Sequence, residues 1–208
     1  MIRRLFALTT CAIVAGCAGM SAEECQLADW ETIGYEDGAA GASGDAIARH
    51  RRACAKAGVA PDRVAYEAGR SEGLVAYCQP ANGYAVGADG HTYRGVCAAS
   101  LEGPFLAAYH QGREYYRLRS NVSTLLSRLN FQHRAIQEQR DDIVAIEQDL
   151  ISAEVTPEDR VALLVDLKEA SRSLGEMENE VIELERDLAV AETELEAWES
   201  NSYSARAW

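Results

Sequence analysis

Two stretches in the second half of the chain place apolar residues at alternating spacings of three and four, which predicts two amphipathic helices. Between them stands Val155-Thr156-Pro157-Glu158-Asp159, where Thr156 suits an N-cap, Pro157 the first helical position and Asp159 the acid of a capping box. The first stretch contains Leu118, Val122, Leu125, Leu129, Ile136, Ile143, Ile146 and Leu150, with Gln132 and Gln139 in two polar slots. The second contains Leu163, Leu167, Ala170, Leu174, Met177, Val181, Leu184, Leu188, Ala191, Leu195 and Trp198. Residues 113–200 are therefore predicted to form a long antiparallel coiled-coil hairpin.

The register of this hairpin follows from folding the chain between residues 156 and 157, so that facing residue numbers sum to 313. Leu129 then faces Leu184, and Tyr115 faces Trp198. Charge agrees, because arginines dominate residues 113–140 and glutamates dominate the facing stretch. The alternative is one long helix that pairs with another protomer.

Residues 25–112 are rich in Gly, Ala and Tyr and predict a small disulfide-stabilised base of short helices. Asp29, Asp45 and the pair Pro61-Asp62 are candidate helix starts, and Gly58 a helix end. Between Cys78 and Cys97 the glycines alternate with Tyr and Val, which predicts a β-hairpin. The expected fold is mainly α: this base, then the coiled-coil hairpin.

Two copies of Ala-Tyr-x-x-Gly-Arg stand at residues 65–70 and 108–113. Each copy puts Tyr and Gly three residues apart, on one helix face, where glycine would let a second backbone approach. Helix packing is the favoured interpretation. The competing one is a glycan-binding groove lined by Tyr66, Arg70, Tyr109 and Arg113.

The N-terminus carries a basic pair, Arg3 and Arg4, then a short apolar core that ends in Val14-Ala15-Gly16-Cys17. This pattern is typical of a bacterial lipoprotein signal, with residues 1–16 removed and Cys17 acylated. Residues 17–24 would then be a lipidated tether. Ala18 favours the outer membrane over the inner one. The alternative is an ordinary signal peptide that happens to contain a cysteine.

Cleavage at Cys17 would leave Cys25, Cys54, Cys78 and Cys97, an even number in an oxidising compartment. The expected pairs are the sequential ones, Cys25–Cys54 and Cys78–Cys97. The whole chain has a formal net charge of −13, and loss of Arg3 and Arg4 makes it −15. Such a charge argues against nucleic-acid binding and against electrostatic docking on anionic lipid.

Several segments together resemble a family: "CQLADWETIGYEDGAAG", "HRRACAKAGVAPDRVAYEAGRSEGLVAYCQPANGYAVGADGHTYRGVC" and "LEGPFLAAYHQGREYYRL". With the lipobox before them, residues 17–120 are similar to the proteobacterial lipoproteins grouped as domain of unknown function 2799 (DUF2799). The resemblance implies a secreted, lipid-anchored envelope protein. It implies no activity and no catalytic residues.

Catalytic signatures are absent from the sequence: His50, His91, His110 and His133 are isolated, and HExxH, GxSxG and Walker motifs do not occur. We expect no metal and no cofactor. His50, beside two arginines, is expected at the surface, and the acids Asp37, Glu67 and Glu72 are expected to be solvated rather than paired for glycan hydrolysis.

The leading hypothesis is a non-enzymatic envelope lipoprotein, held on the outer membrane facing the periplasm, whose hairpin contacts an envelope protein. Peptidoglycan binding by the base is the second hypothesis, and a small hydrolase is the third. Residues 201–208 are expected to be a flexible tail.

Overall fold

The computed structural model describes the backbone of residues 20–206 and the side chains of residues 20–202. The signal segment 1–16 and the lipidation site Cys17 lie outside the described residues. The described part is helical and contains no β-strand. Its helices are α1 (Ala22–Gln26), α2 (Trp30–Ala39), α3 (Ala46–Cys54), α4 (Arg63–Tyr77), α5 (Pro80–Ala88), α6 (Ala99–Ile151) and α7 (Pro157–Arg206), with a 3₁₀ turn at Ala55–Ala57 after α3. In this part of the chain no helix is both long and apolar enough to cross a membrane.

The predicted β-hairpin between Cys78 and Cys97 is wrong. Residues 80–88 form α5, and residues 89–98 are irregular, with a positive φ of 78° at Gly90. The prediction rests on the alternation of glycines with Tyr and Val in this segment. Gly83 and Gly87, however, are four apart, which is the spacing of one helix face, and both are buried.

Backbone contacts divide the chain into two units. Within the described residues, the first consists of residues 20–82 with Tyr93–Phe105, and the second of Gly83–Thr92 with residues 106–206. The composition change predicted as a domain boundary, between residues 112 and 113, lies within the continuous helix α6.

The first unit contains both predicted disulfides, Cys25–Cys54 and Cys78–Cys97. Its core is small and is built around the first bridge. The buried residues of this core are Cys25, Trp30, Ala42, Ala46, Cys54 and Tyr66. Because this cluster contains few large side chains, the two disulfides are expected to contribute to the stability of the unit.

Helix ends in the first unit follow the predicted signals with one exception. Asp29 and Asp62 each accept hydrogen bonds from backbone N–H groups in the first turn of α2 and α4. Gly58 ends the 3₁₀ turn in the left-handed conformation, with a φ of 70°. Asp45 precedes α3 but does not cap it, because its carboxylate bonds the hydroxyl of Ser43 instead.

In the second unit, α6 and α7 pack side by side through apolar residues at the predicted register. One cluster contains Val122, Leu125 and Leu129 of α6 together with Leu184, Leu188 and Ala191 of α7. These are the residues that the predicted sum of 313 places opposite each other. Near one end the rings of Tyr115 and Trp198 have centroids 5.2 Å apart. Towards the other end the Gln139 amide donates to the carbonyl of Ala170 at 3.2 Å, so the two helices run in opposite directions.

The turn between the long helices is closed by Arg160. Its guanidinium donates to the backbone carbonyls of Leu150, Ser152 and Val155, at the end of α6 and in the turn. Such carbonyls lack partners within their own helix, and a cation is favoured there. Thr156 caps the N-terminus of α7 as predicted, with Asp159 N–H donating to its hydroxyl oxygen at 3.1 Å. The helix then continues past residue 200, into the predicted tail, as far as Arg206.

Candidate functional site

Three polar side chains from three helices of the first unit meet at one carboxylate oxygen. Tyr66 on α4 donates its hydroxyl proton to Asp37 Oδ2 of α2 at 2.5 Å. His50 on α3 places its Nε2 2.8 Å from the same oxygen. The Trp30 ring meets the His50 ring edge-on, with centroids 6.3 Å apart. We call Asp37, His50 and Tyr66 the polar cluster.

The electrostatics of the polar cluster keep Tyr66 protonated. Burial, and then the hydrogen bond to Asp37, raise the pKa of Tyr66 well above its ordinary value. A neutral phenol that donates to a carboxylate is neither a base nor an activated nucleophile. The geometry therefore suits a structural role, in which the polar cluster holds α2, α3 and α4 together.

The position of His50 corrects the sequence expectation. Its side chain is only 21% exposed and is held between Asp37 and two aromatic rings, rather than standing free at the surface. Asp37 is 21% exposed and is not simply solvated either. Glu67 lies at the surface with Arg63 as its ion-pair partner, at 2.7 Å. No local spacing in the sequence connects residues 37, 50 and 66, so sequence analysis missed the cluster.

The two arginines proposed to line a groove, Arg70 and Arg113, each bond a backbone carbonyl just past the end of a neighbouring helix. Arg70 Nη2 donates to the carbonyl of Ala42, after α2, at 2.8 Å. Arg113 Nη1 donates to the carbonyl of Gly90, after α5, at 2.9 Å. Cations at such ends satisfy carbonyls that the helix leaves open. Both side chains thus have a structural task inside their own unit.

The two tyrosines of the repeat are also occupied. Tyr66 is 1% exposed and belongs to the polar cluster. Tyr109 donates its hydroxyl proton to the carbonyl of His91 at 3.1 Å. The structure therefore places Tyr66 and Arg70 in the first unit and Tyr109 and Arg113 in the second. Tyr66 bonds a carboxylate of its own unit, and the other three bond backbone carbonyls of theirs.

Glycines let backbones touch in both units. In the first, a Cβ built on Gly73 would lie 2.1 Å from the carbonyl oxygen of Tyr35, and one on Gly38 would lie 2.3 Å from that of Arg70. In the second, a Cβ on Gly112 would lie 2.1 Å from the carbonyl oxygen of Tyr84. Such distances leave no room for a side chain, so α2 crosses α4, and α5 crosses α6, in direct backbone contact.

The residues that correspond in the two helix crossings are shifted by one helical turn from the residues that correspond in the Ala-Tyr-x-x-Gly-Arg repeat. In sequence, Tyr66 aligns with Tyr109, an offset of 43 residues. In the packing, Gly73 corresponds to Gly112, an offset of 39. The same offset relates Tyr77 and Tyr116, whose rings cover Gly41 and Gly90, both at positive φ. The predicted packing role of the repeat holds, but the matching residues are different ones.

A shallow cavity of about 270 Å³ lies between α3 and the start of α4. Arg51, Arg63 and Glu67 border it, and Ile47 and Pro61 contribute apolar surface. Since Arg63 is paired with Glu67, the charge facing this cavity is partly neutralised. In the described part of the chain, no group of three His, Cys, Asp or Glu residues is arranged to hold a metal ion.

The region that contains the polar cluster and the glycine crossings is similar to a known protein family. Residues 29–114, from the N-cap of α2 into α6, match the model described as protein of unknown function (DUF2799). Residues 29–114 are thus similar to the DUF2799 family. The match includes the whole polar cluster and both glycine crossings, and excludes Cys25 and most of the two long helices. No curated protein and no solved structure gave a significant match to the chain.

Proposed function

We propose that this protein is a non-enzymatic lipoprotein of the bacterial cell envelope, whose DUF2799 domain supports an antiparallel coiled-coil hairpin that contacts a partner protein. Cys17 carries the lipid in this proposal, and the outer membrane facing the periplasm is the expected location. The basis for the anchor is the basic pair, the short apolar core and the motif at Val14–Cys17. The two disulfides of the first unit agree with an oxidising compartment.

The observation that carries the proposal is the pairing of α6 with α7. Six seam residues of the two helices form one apolar cluster, and interhelix ion pairs such as Arg140–Glu178, at 2.7 Å, add to the contact between the helices. An arm of about 40 residues extends roughly 60 Å at 1.5 Å per residue. A rigid two-helix arm of this length offers two long exposed surfaces, which is a shape suited to contact with another protein.

Peptidoglycan binding by the base is less well supported. That interpretation requires Tyr66, Arg70, Tyr109 and Arg113 to present free polar groups to a glycan. In each of them the hydroxyl or a guanidinium N–H instead donates to Asp37 or to a backbone carbonyl of its own unit. The cavity beside Arg51 is one surface of the base where a small ligand would fit.

The partner is tested by placing a photo-crosslinking residue at exposed positions along the arm in living cells. Phe131, Val144 and Val190 are suitable, since each is 47–63% exposed. We expect adducts with a defined protein from some positions and not others. Equal crosslinking from Val64, which is 81% exposed in the first unit, would contradict a specific role of the arm. Adducts with peptidoglycan, released by a muramidase, would favour the second hypothesis.

The anchor is tested separately with Cys17→Ser. We expect intact-mass analysis to find acyl chains on the wild-type protein and none on the variant, and the variant to leave the membrane fraction on washing. Wild-type protein without acyl mass would contradict the anchor while leaving the role of the arm open.

A further inference from the structure

The turn end of the hairpin exposes large apolar side chains. Ile151 is 84% exposed, Val161 64%, Leu164 54% and Val144 47%. Together these four residues are called the tip patch. Burial of this apolar surface by a partner would be favourable, and exposed apolar patches of this kind mark interaction sites.

Heptad positions place the tip patch on one side of the hairpin. On α6, the seam residues Ile143 and Leu150 occupy heptad position a. Val144 and Ile151 each follow one of them and therefore occupy position b. On α7, Leu164 follows the seam residue Leu163, at position d, and therefore takes position e, while Val161 takes position b. Positions b and e lie on the same flank of a helix, and e flanks face each other in an antiparallel pair. All four side chains thus share one side.

The charge around the tip patch is negative. Residues 141–169 contain nine carboxylates against Arg160 and Lys168, a net charge of −7. Arg160 is already committed to the carbonyls of the turn. Two acids border these apolar side chains. Glu147 is at position e, and Glu158 is at position f, which neighbours position b around the helix. An occupant must therefore supply apolar surface and positive charge together.

Charge also decides between possible occupants. A second copy would bring another tip of charge −7 against the first, and the surface of an anionic bilayer would repel the tip in the same way. A basic amphipathic helix has an apolar face for the tip patch and lysines or arginines for the flanking acids.

We propose that the tip patch binds a basic amphipathic helix of a partner protein. This inference rests on the proposed function and narrows it to one surface and one chemistry. The proposed function survives if the partner binds elsewhere along the arm, so the two can fail separately.

The test titrates a labelled peptide of about 18 residues, or five helical turns, into the full chain carrying Cys17→Ser. The peptide contains leucine and lysine in an amphipathic order. A scrambled peptide of the same composition and a leucine–glutamate version serve as comparison probes. Binding should require the amphipathic order and the lysines, and should weaken as ionic strength rises.

The decisive variant replaces three residues of the tip patch: Ile151→Ser, Val161→Ser and Leu164→Ser together. The matched control removes the same three side-chain types from exposed positions elsewhere on the arm: Ile182→Ser, Val190→Ser and Leu126→Ser. The tip variant should lose about tenfold or more in affinity for the leucine–lysine peptide, and the control less than about twofold. Circular dichroism checks that both variants keep their helices.

Three results would overturn the proposal. The first is equal weakening by the tip and control variants. The second is stronger binding to anionic vesicles than to the peptide. The third is a concentration-dependent dimer of the Cys17→Ser chain that the tip variant abolishes. In living cells, a crosslinker at Val161 should capture the same protein as the arm positions, through a segment with basic amphipathic sequence. Capture from Phe131 and Val190 alone would retain the proposed function and reject the tip as the site.

Discussion

Gly73 and Gly112 occupy equivalent places in two helix crossings. A Cβ on Gly73 would lie 2.1 Å from the carbonyl oxygen of Tyr35, and a Cβ on Gly112 would lie 2.1 Å from that of Tyr84. The next atom met is the backbone nitrogen of Ala39 in the first case and of Ala88 in the second, 2.7 Å away in both. The chain therefore builds the same backbone contact twice, once in each unit.

Replacement of either glycine by alanine should destabilise the protein. The added methyl group meets rigid backbone, so the two helices must separate, and we expect a loss of about 1–3 kcal/mol in the free energy of unfolding for Gly73→Ala. Thermal and urea unfolding, followed by circular dichroism, measure this loss.

Gly175→Ala is the matched control, because a Cβ at Gly175 meets no atom within 4 Å and the residue lies inside α7. There alanine should stabilise by about 0.5–1 kcal/mol through its better helix propensity. Destabilisation at both positions, or at neither, would contradict the close contact at Gly73.

The AYxxGR repeats show how far the sequence predicts this packing. Tyr and Gly at helical spacing correctly indicate a glycine crossing, since that spacing is a local property of a helix. The pairing of helices depends on contacts between distant segments, and the sequence repeat aligns Gly69 with Gly112 whereas the packing aligns Gly73 with it. A one-turn shift leaves the helix face nearly unchanged, so the sequence alone does not distinguish the two registers.

Tyr66→Phe tests the polar cluster. At neutral pH the variant should lose about 0.5–1.5 kcal/mol, because the hydroxyl no longer donates to Asp37. Asp37 keeps His50 as a partner, which limits the cost. Urea unfolding of the two proteins at pH 7 measures the difference.

Alkaline pH adds a second signature of the same residue. The pKa of Tyr66 is raised in the folded state, so its stabilising effect is fully present below the unfolded pKa of about 10. Above that pH the unfolded chain loses the proton first, and the folded state is progressively destabilised. The difference in free energy of unfolding between wild type and Tyr66→Phe should therefore become smaller above about pH 10. Tyr35→Phe, at a ring 42% exposed, is the control and should not remove this decline. If the free energies of unfolding of wild type and Tyr66→Phe differ by the same amount from pH 7 to 11, the structural role of the polar cluster is contradicted.

Arg160→Met should loosen the turn of the hairpin. The variant removes three hydrogen bonds from a guanidinium to the carbonyls of Leu150, Ser152 and Val155, and we expect a loss of about 1–3 kcal/mol. Hydrogen exchange should speed up around residues 150–156 more than at Leu129. Arg172→Met is the control. Arg172 forms an ion pair with Glu176 at 3.8 Å, but its side chain is 75% exposed, so the free energy of unfolding should change little. Equal effects of the two variants would reject the role of Arg160.

The two halves of the chain were not equally predictable. A seam of three- and four-residue spacings, interrupted by Thr156-Pro157, predicts its own register, and the presence of Leu129 and Leu184 in one apolar cluster agrees with that register. In the base, glycines that alternate with Tyr and Val predict a β-hairpin, whereas Gly83 and Gly87 lie in a helix, and Gly87 packs against the backbone of α6. The polar cluster depends on three segments that meet only in the folded unit. Sequence periodicity contains no trace of it.

The central claim is that α6 and α7 fold back on each other within one chain. Cysteines introduced by Leu129→Cys and Leu184→Cys in the full chain provide the most direct measurement, because these two seam residues belong to one apolar cluster and a disulfide requires Cβ atoms about 3.5–4.5 Å apart. Oxidation should give a monomer with a 129–184 bridge at every protein dilution, and peptide mapping should find the native pairs 25–54 and 78–97 intact. Leu129→Cys with Val190→Cys, outside the seam, is the control that should remain reduced. A disulfide-linked dimer whose yield falls on dilution would mean that the helices pair between chains, and would contradict the hairpin.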